Sequence, residues 1–276
     1  MLNRSSIGAF VMLTLCTSFS GAQAFDESKY PDFKGQWSRV GAPRWLGRGD
    51  KAPLTPEYQA YYQAILADQA AGGTGNWPSA FCIPQGMPAM MNLFDPMEIV
   101  VTADTTYILI SHINDSYRRI YTDGREWPSP GEVEPTYAGY SIGRWIDEDG
   151  NGKYDMLEIE TRYFKGPRAF ESTGLPLHQD NESIITERIY LDKSDPDTLW
   201  DDITVYDHAL SRPWTLHKQA VRTKSPRPVW YSEVCSEHNA ILRVGKEAYF
   251  LSADGFLMPS KKDQPPPDPR YFNQRK

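Results

Sequence analysis

The chain has 276 residues, of which 13% are aromatic, and its formal net charge at pH 7 is −7. This acidic balance argues against a nucleic-acid partner and against an anionic membrane surface, since both are recognised through a basic face. A chain of this length, once a leader is removed, can form one large β domain or two small ones.

The N-terminus has the pattern of a secretory signal peptide. Arg4 supplies the positive charge, residues 7–19 form an apolar stretch, and residues 22–24 form a small-x-small cleavage site. The stretch is too short for a transmembrane anchor, which needs about 20 apolar residues. A lipoprotein at Cys16 is disfavoured because the residue before it is not small. We therefore expect a signal peptide at residues 1–24 and a periplasmic or secreted protein with no membrane contact after cleavage.

Loss of the leader leaves two cysteines, Cys82 and Cys235. In an oxidising compartment two cysteines have one pairing, so we predict a disulfide that ties the region after the first helix to a late strand. The alternatives are a catalytic thiol, which export disfavours, and a zinc site, for which no histidine cluster is evident.

The first predicted elements are a strand and a helix. Residues 32–37 begin the strand with a Gly-x-Trp signal that resembles strand A of lipocalin-like barrels. Thr55 and Pro56 predict the cap and first turn of the helix, and Gly72 ends it. An amphipathic stripe at helical spacing consists of Tyr58, Tyr61, Tyr62, Ile65 and Leu66. We expect this N-terminal amphipathic helix to lie on a barrel or to close one of its mouths.

From residue 97 onward the pattern changes to a period of two, which predicts strands. Evenly spaced strands with few helices indicate a mainly β fold, an antiparallel lipocalin-like barrel, with a β-sandwich as the alternative. No composition break marks a second domain, so we expect one domain at residues 25–258 and a flexible, Pro-rich tail at residues 259–276. The predicted strands cover residues 98–103, 107–114, 117–121, 137–146, 156–164, 183–191, 199–206, 214–222, 229–235, 240–244 and 248–252.

Residues 147–158 match the EF-hand loop pattern D-x-[DN]-x-[DN]-G-x5-E. A hard cation needs such a density of oxygen ligands. Strands flank the loop in place of helices, so we predict calcium that braces a hairpin, and the alternative is a solvated acidic turn. The predicted ligands are Asp147, Asp149, Asn151, Asp155 and Glu158.

Three ionisable residues, His112, Arg144 and Glu187, each share a predicted strand face with isoleucines. If those faces point inward, Arg144 and Glu187 would pair, because a buried charge is costly unless it is paired. His112 could then act as an acid or base, and Tyr140 would lie on the face of Arg144. A mostly apolar cavity with a few convergent polar groups is typical of a small-molecule site. A register error of one residue would turn these side chains outward.

A second histidine candidate, His178, lies in the long connection 165–182. Asp180 could orient its imidazole as a general base or as a contact at the rim of a pocket, and the alternative is a surface histidine. The sequence contains no phosphate loop, dinucleotide fingerprint or zinc motif. No nucleotide or haem cofactor is therefore indicated.

Several stretches resemble, in their order along the chain, a family of exported bacterial proteins of uncharacterised function. They are CIPQGMP at 82–88, RIYTDGR at 119–125, GYSIGRW at 139–145, His178 ahead of Glu187 and Arg188, RPWT at 212–215 and YSEVC at 231–235. The resemblance implies a lipocalin-like barrel and no activity that can be named. It also implies positions to test, which are Asp123, Arg125, Arg144, Trp145, His178, Glu187 and Arg188. The loop at 147–155 departs from the family pattern, where a shorter turn is expected.

Three functions are compatible with these observations. The first is an exported barrel that binds a small apolar or aromatic molecule. The second is an acid–base enzyme, an isomerase, lyase or hydrolase, that uses His178 or His112 with Glu187 and Arg144. The third is a calcium-braced structural module. An open interior would favour the first two, and a filled interior would favour the third.

Overall fold

The computed structural model describes residues 25–41, 51–112, 114–166, 168–169, 174–235, 240–268 and 270. The predicted signal peptide and its cleavage site lie outside the described residues. Within the part of the chain that is described, no helix is long and apolar enough to cross a membrane.

The fold is mainly β, as predicted, and its strands match most of the predicted segments. The described residues form one α-helix, α1 (Pro56–Ala70), and fourteen strands. The strands are β1 (Gln36–Arg39), β2 (Met97–Val101), β3 (Thr105–His112), β4 (Asn114–Tyr121), β5 (Tyr140–Ile146), β6 (Met156–Arg162), β7 (Arg168–Ala169), β8 (Pro176–Leu177), β9 (Ile184–Leu191), β10 (Thr198–Tyr206), β11 (Trp214–Arg222), β12 (Ile241–Val244), β13 (Glu247–Leu251) and β14 (Leu257–Pro259).

Nine strands close into one barrel in the order β1-β11-β10-β9-β6-β5-β4-β3-β2, and β1 pairs with β2 to complete the ring. Closure excludes the sandwich alternative. The prediction of a wholly antiparallel barrel is wrong at one pair, because β4 and β5 run parallel. Parallel neighbours need a long crossover connection, and residues 122–139 provide it by passing over the outside of the barrel.

Helix α1 begins as predicted, with the Thr55 hydroxyl accepting a hydrogen bond from the Tyr58 backbone N–H at 3.4 Å and with Pro56 in the first turn. It is not N-terminal, because β1 precedes it. Ile65 is buried and Tyr58 packs against the core, whereas Tyr61 is exposed. The predicted stripe is therefore only partly a packing face.

The predicted disulfide between Cys82 and Cys235 is present. It joins a short 3-10 helix at Pro78–Phe81 to the segment 229–235, for which a strand was predicted and none is found. The strands β12, β13 and β14 form a separate small sheet. The first residues of the Pro-rich tail contact this sheet, since the Tyr249 hydroxyl donates to the Pro265 carbonyl at 3.0 Å.

The inward side chains of the barrel pack into one continuous cluster. The buried Phe33 lies at one end beside Trp37, whose indole N–H donates to the Phe33 carbonyl at 2.9 Å. Buried residues of the segment 87–93 also belong to the cluster. Packing is tight at β5, where a Cβ added to Gly143 would lie 2.6 Å from the Ile120 side chain.

Candidate functional site

A buried ion pair crosses the barrel interior between β4 and β9. Arg118 Nη1 donates to Glu187 Oε1 at 2.8 Å and Nη2 donates to Oε2, and the two side chains are 1% and 0% exposed. The guanidinium also donates from Nε to the Ser141 hydroxyl at 3.1 Å and from Nη2 to the Thr161 hydroxyl at 2.7 Å. Each guanidinium nitrogen thus has an acceptor, which offsets the desolvation cost of the two charges.

The predicted pairing of Arg144 with Glu187 is wrong. The Arg144 side chain is 77% exposed and donates to Glu158 Oε2 at 2.9 Å on the outer face. The inward residues of β5 are Ser141, Gly143 and the partly buried Trp145. The sequence was misleading because the outer face of β5 also carries apolar residues, Tyr140, Ile142 and Ile146, and Trp127 of the connection 122–139 packs beside Tyr140.

Asp201 carries a buried carboxyl group that was not predicted from the sequence. It points inward from β10 and lies opposite Ile189 on β9 and Lys218 on β11. Among the described residues neither carboxyl oxygen has a hydrogen-bond partner. Burial raises the pKa of Asp201 well above its usual range, the Glu187 charge raises it further, and Arg118 opposes the shift. The alternation that singled out Glu187 on β9 would also have identified Asp201 on β10.

His178 is fully buried, with both ring nitrogens hydrogen-bonded to protein groups. Nε2 donates to the Met87 carbonyl at 2.9 Å, and Nδ1 lies 2.6 Å from the Ser183 hydroxyl. That hydroxyl donates to Asp207 at 2.5 Å. The expected pairing of His178 with Asp180 is wrong, since Asp180 instead contacts His208. These bonds tie the connection before β9 to the turn after β10.

His112 does face the inner side of β3, as predicted, but it lies at the strand's end. Nδ1 is 2.8 Å from Asp95 Oδ2 and 4.0 Å from Glu233 Oε2. The hydrogen bonds of His112 and His178 go to different groups, and neither of these sets includes Glu187 or Arg144. The structure therefore does not assemble the predicted four-residue acid–base site.

A groove of 450 Å³, which we call the Trp127 groove, lies on the outer face of β5, β6 and β9. Trp127 comes from the crossover connection. Arg162 lies 4.3 Å from its ring centroid, and Tyr163 fixes the neighbouring backbone by donating to the Pro128 carbonyl at 2.6 Å. The outward side chains that line the groove are Ile142, Arg144, Glu158, Glu160, Thr186 and Arg188.

Two of the predicted site residues, Arg144 and Arg188, thus come together at this groove. Glu158 lies between them, 2.9 Å from Arg144 Nη2 and 3.7 Å from Arg188 Nε. Tyr140 adjoins the groove, with its ring centroid 6.1 Å from that of Trp127. Trp145 lies elsewhere and packs on Tyr30, Phe33 and Tyr154 at the covered end of the barrel.

The acidic loop brings together part of the predicted calcium ligand set. Carboxylate oxygens of Asp147, Asp149 and Asp155 lie within 4.8 Å of one another. The Asn151 amide oxygen accepts from the Lys153 backbone N–H at 2.9 Å. Glu158 is not part of this group. Because β6 is extended, Glu158 lies away from the loop and contacts Arg144 and Arg188. In an EF-hand, a helix at this position would bring the glutamate back to the ion.

No protein-family model, curated protein or solved structure matches this chain. Of the predicted lipocalin-like barrel, the structure shows a closed mixed β-barrel of nine strands. Because one fold hosts many functions, the function has to be argued from the sites themselves.

Removing one partner of the buried pair should be far more damaging than removing one partner of the exposed pair. We expect Arg118→Met to lower the free energy of unfolding by about 3–5 kcal/mol, because Glu187 would stay buried without a counter-charge. Arg144→Ala should cost less than about 1 kcal/mol. Urea unfolding of both variants measures the difference. The double variant Arg118→Met/Glu187→Leu should recover part of the loss, and equal losses for the two single variants would contradict the assignment.

Replacing Asp201 should stabilise the protein in a pH-dependent way. Above the ordinary aspartate pKa of 3.8 and below the raised pKa of Asp201, the folded state holds a proton that the unfolded chain has lost. The contribution of Asp201 to stability therefore falls as the pH rises through this window. We expect Asp201→Asn to gain about 1–3 kcal/mol over the wild type at neutral pH, with a smaller gain near pH 4.

Thermal unfolding of Asp201→Asn across this pH range, with Asp202→Asn as the control, checks this prediction. Asp202 is the outward neighbour and lies 2.6 Å from His217 Nδ1, so its replacement should bring no such gain. A variant Asp201→Asn that is less stable than the wild type at every pH would show that the ionised carboxylate has a stabilising partner.

Proposed function

We propose that this protein is an exported small-molecule-binding barrel, periplasmic or secreted, whose ligand lies in the Trp127 groove. The observation that carries the proposal is a concave outer face with an indole ring, an apolar floor at Ile142 and two guanidinium groups. Its volume of 450 Å³ falls in the range of about 300–1,000 Å³ that is usual for small-molecule sites. The N-terminal pattern and the disulfide support export.

The lining of the groove favours a planar aromatic ligand that carries a carboxylate. An aromatic ring can stack on Trp127, and a carboxylate can accept hydrogen bonds from Arg144 and Arg188. In the structure the Glu158 carboxylate holds the position between these two arginines. A ligand carboxylate would compete with Glu158 for both arginines, and with Glu148 for Arg188, whose Nη2 donates to Glu148 Oε1 at 3.1 Å.

An outer site is favoured over an inner one because the inward side chains pack in one cluster around the Arg118–Glu187 pair. The acid–base enzyme has less support. His178 is 0% exposed and its ring nitrogens are bonded to protein groups, so a substrate could not reach it without opening the connection before β9.

Binding of naphthoate and of its uncharged amide tests the groove. We expect the wild type to bind naphthoate about tenfold more tightly than naphthamide, since charge-assisted hydrogen bonds contribute about 1.5–3 kcal/mol. Trp127→Ala should weaken the binding of both compounds, and Arg188→Ala should remove the preference for the carboxylate. Isothermal titration calorimetry measures these affinities.

The control for this experiment is Trp77→Ala, which removes an exposed tryptophan that does not line the groove. It should bind naphthoate as the wild type does. If Trp77→Ala and Trp127→Ala behave alike, or if neither compound binds the wild type, the groove is not the ligand site.

We also propose that the loop 147–155 binds calcium and braces the β5–β6 hairpin. Three carboxylates converge there, and the sequence has the spacing of a calcium loop. A bound ion would give the hairpin a second role as a calcium-dependent support for the strands of the Trp127 groove.

Calcium at about 100 times its dissociation constant should stabilise the wild type by about 2.7 kcal/mol. Asp147→Asn should abolish this gain while its side-chain oxygen still accepts from the Asn151 backbone N–H. Asp254→Asn, on an exposed turn of the small sheet, should keep it. Differential scanning calorimetry with calcium and with magnesium measures the effect, and a wild-type melting temperature that millimolar calcium leaves unchanged would overturn the proposal.

A further inference from the structure

A second polar cluster, the His112 cluster, lies on the other side of the barrel from the strands of the Trp127 groove. It consists of Asp95 before β2, His112 at the end of β3 and Glu233 in the segment that leads to Cys235. The three side chains are 35%, 21% and 37% exposed. Residues far apart in sequence therefore converge at a half-buried position.

Both carboxylates approach the same ring nitrogen of His112. Nδ1 lies 2.8 Å from Asp95 Oδ2 and 4.0 Å from Glu233 Oε2, and one ligand atom from each residue lies within 4.8 Å of the other two. Ligands around a tetrahedral metal ion with bonds of about 2.1 Å are separated by about 3.4 Å. The observed separations fall on both sides of this value, so small side-chain rotations would complete the coordination.

The composition of the cluster suits a divalent cation. Two carboxylates and one imidazole nitrogen are ligands that Zn²⁺ and Mn²⁺ accept, and one ligand atom of each residue lies near the other two. A divalent ion would neutralise both carboxylates at once.

The surroundings hold the imidazole in place and leave room at one side. The ring of Phe94 stacks on His112 with centroids 4.6 Å apart and planes within 10°. A cavity of 240 Å³ lies beside Asp95 and Phe94, and its lining includes neither His112 nor Glu233. Three protein ligands leave the fourth position of a tetrahedral ion to a water or a substrate atom, as in metal sites that remain open to exchange.

From this geometry we propose that Asp95, His112 and Glu233 bind a divalent transition metal of the zinc type, with an open fourth position. One imidazole and two carboxylates suit Zn²⁺ or Mn²⁺, and the two described cysteines are tied in the disulfide and offer no thiolate. The ion would fasten the segment 229–235 to the barrel beside the bond from the Ser111 hydroxyl to the Tyr231 carbonyl. This site is independent of the proposed ligand groove.

Zinc binding by the purified protein, stripped with a chelator and titrated with ZnCl₂ by calorimetry, tests the proposal. We expect His112→Ala and Glu233→Gln each to weaken one zinc-binding event at least tenfold. His217→Ala is the matched control, because His217 also pairs with an aspartate, Asp202, at 2.6 Å but is 67% exposed and belongs to no three-residue cluster among the described residues. It should bind zinc as the wild type does.

The absorption spectrum of bound Co²⁺ provides a second measurement should His112→Ala fold poorly. The wild type should give the intense visible bands of a tetrahedral site, and the conservative variant Glu233→Gln should lose them while keeping its circular dichroism. Unchanged zinc affinity and an unchanged cobalt spectrum in Glu233→Gln would overturn the proposal. Equal loss in His217→Ala would overturn it as well, because binding would then lie elsewhere.

Discussion

The ion pair between Arg118 and Glu187 is the constraint on which the rest of the barrel depends. Both ions are buried, and a buried charge is costly without a counter-charge. A register shift of one residue in β4 or β9 would turn one charge outward and leave the other buried and unpaired. The pair thereby fixes which residues of β6 and β9 face out. With Glu187 opposite Ile159 on the inside, Glu158 and Arg188 are neighbours on the outside. The polar wall of the Trp127 groove is a consequence of this register.

Two of the three proposed binding sites lie where a non-strand segment packs against the barrel. The connection 122–139 passes over β5 and brings Trp127 to the outward residues of β5, β6 and β9. The segment 229–235 passes the end of β3 and brings Glu233 to His112. A barrel whose interior is filled by packed side chains can form concave surfaces in this way without opening its core. The packed interior then stabilises the fold and fixes the strand register, and the segments 122–139 and 229–235 supply residues of the proposed binding sites.

The strands, the start of α1 and the disulfide could be predicted from the sequence. Alternation and the Thr-Pro cap are local patterns, and two cysteines allow only one pairing. It was insufficient for β5. Ile142 and Ile146 suggested an inward face, yet that face points outward, and Ile142 lines the open groove together with Trp127 of the crossover. The partner of Glu187 was missed because polarity alone suggests the wrong orientation in β4. The charged Arg118 points inward there, and the aromatic Tyr117 points outward. Alternation shows which residues share a face, and only the course of the connections shows which face is inside.

We propose that the ligand binds on the outer wall of the barrel while the interior stays packed. Isoleucine methyl resonances can test it directly, since Ile142 lines the Trp127 groove whereas Ile108, Ile185 and Ile203 point inward. In a titration of the methyl-labelled protein with naphthoate, we expect the resonances of the Ile142 methyl and the Trp127 indole to shift while those of the three inward methyls do not. Shifts of the inward methyls without a change at Ile142 would place the ligand inside the barrel and would overturn the groove as its site.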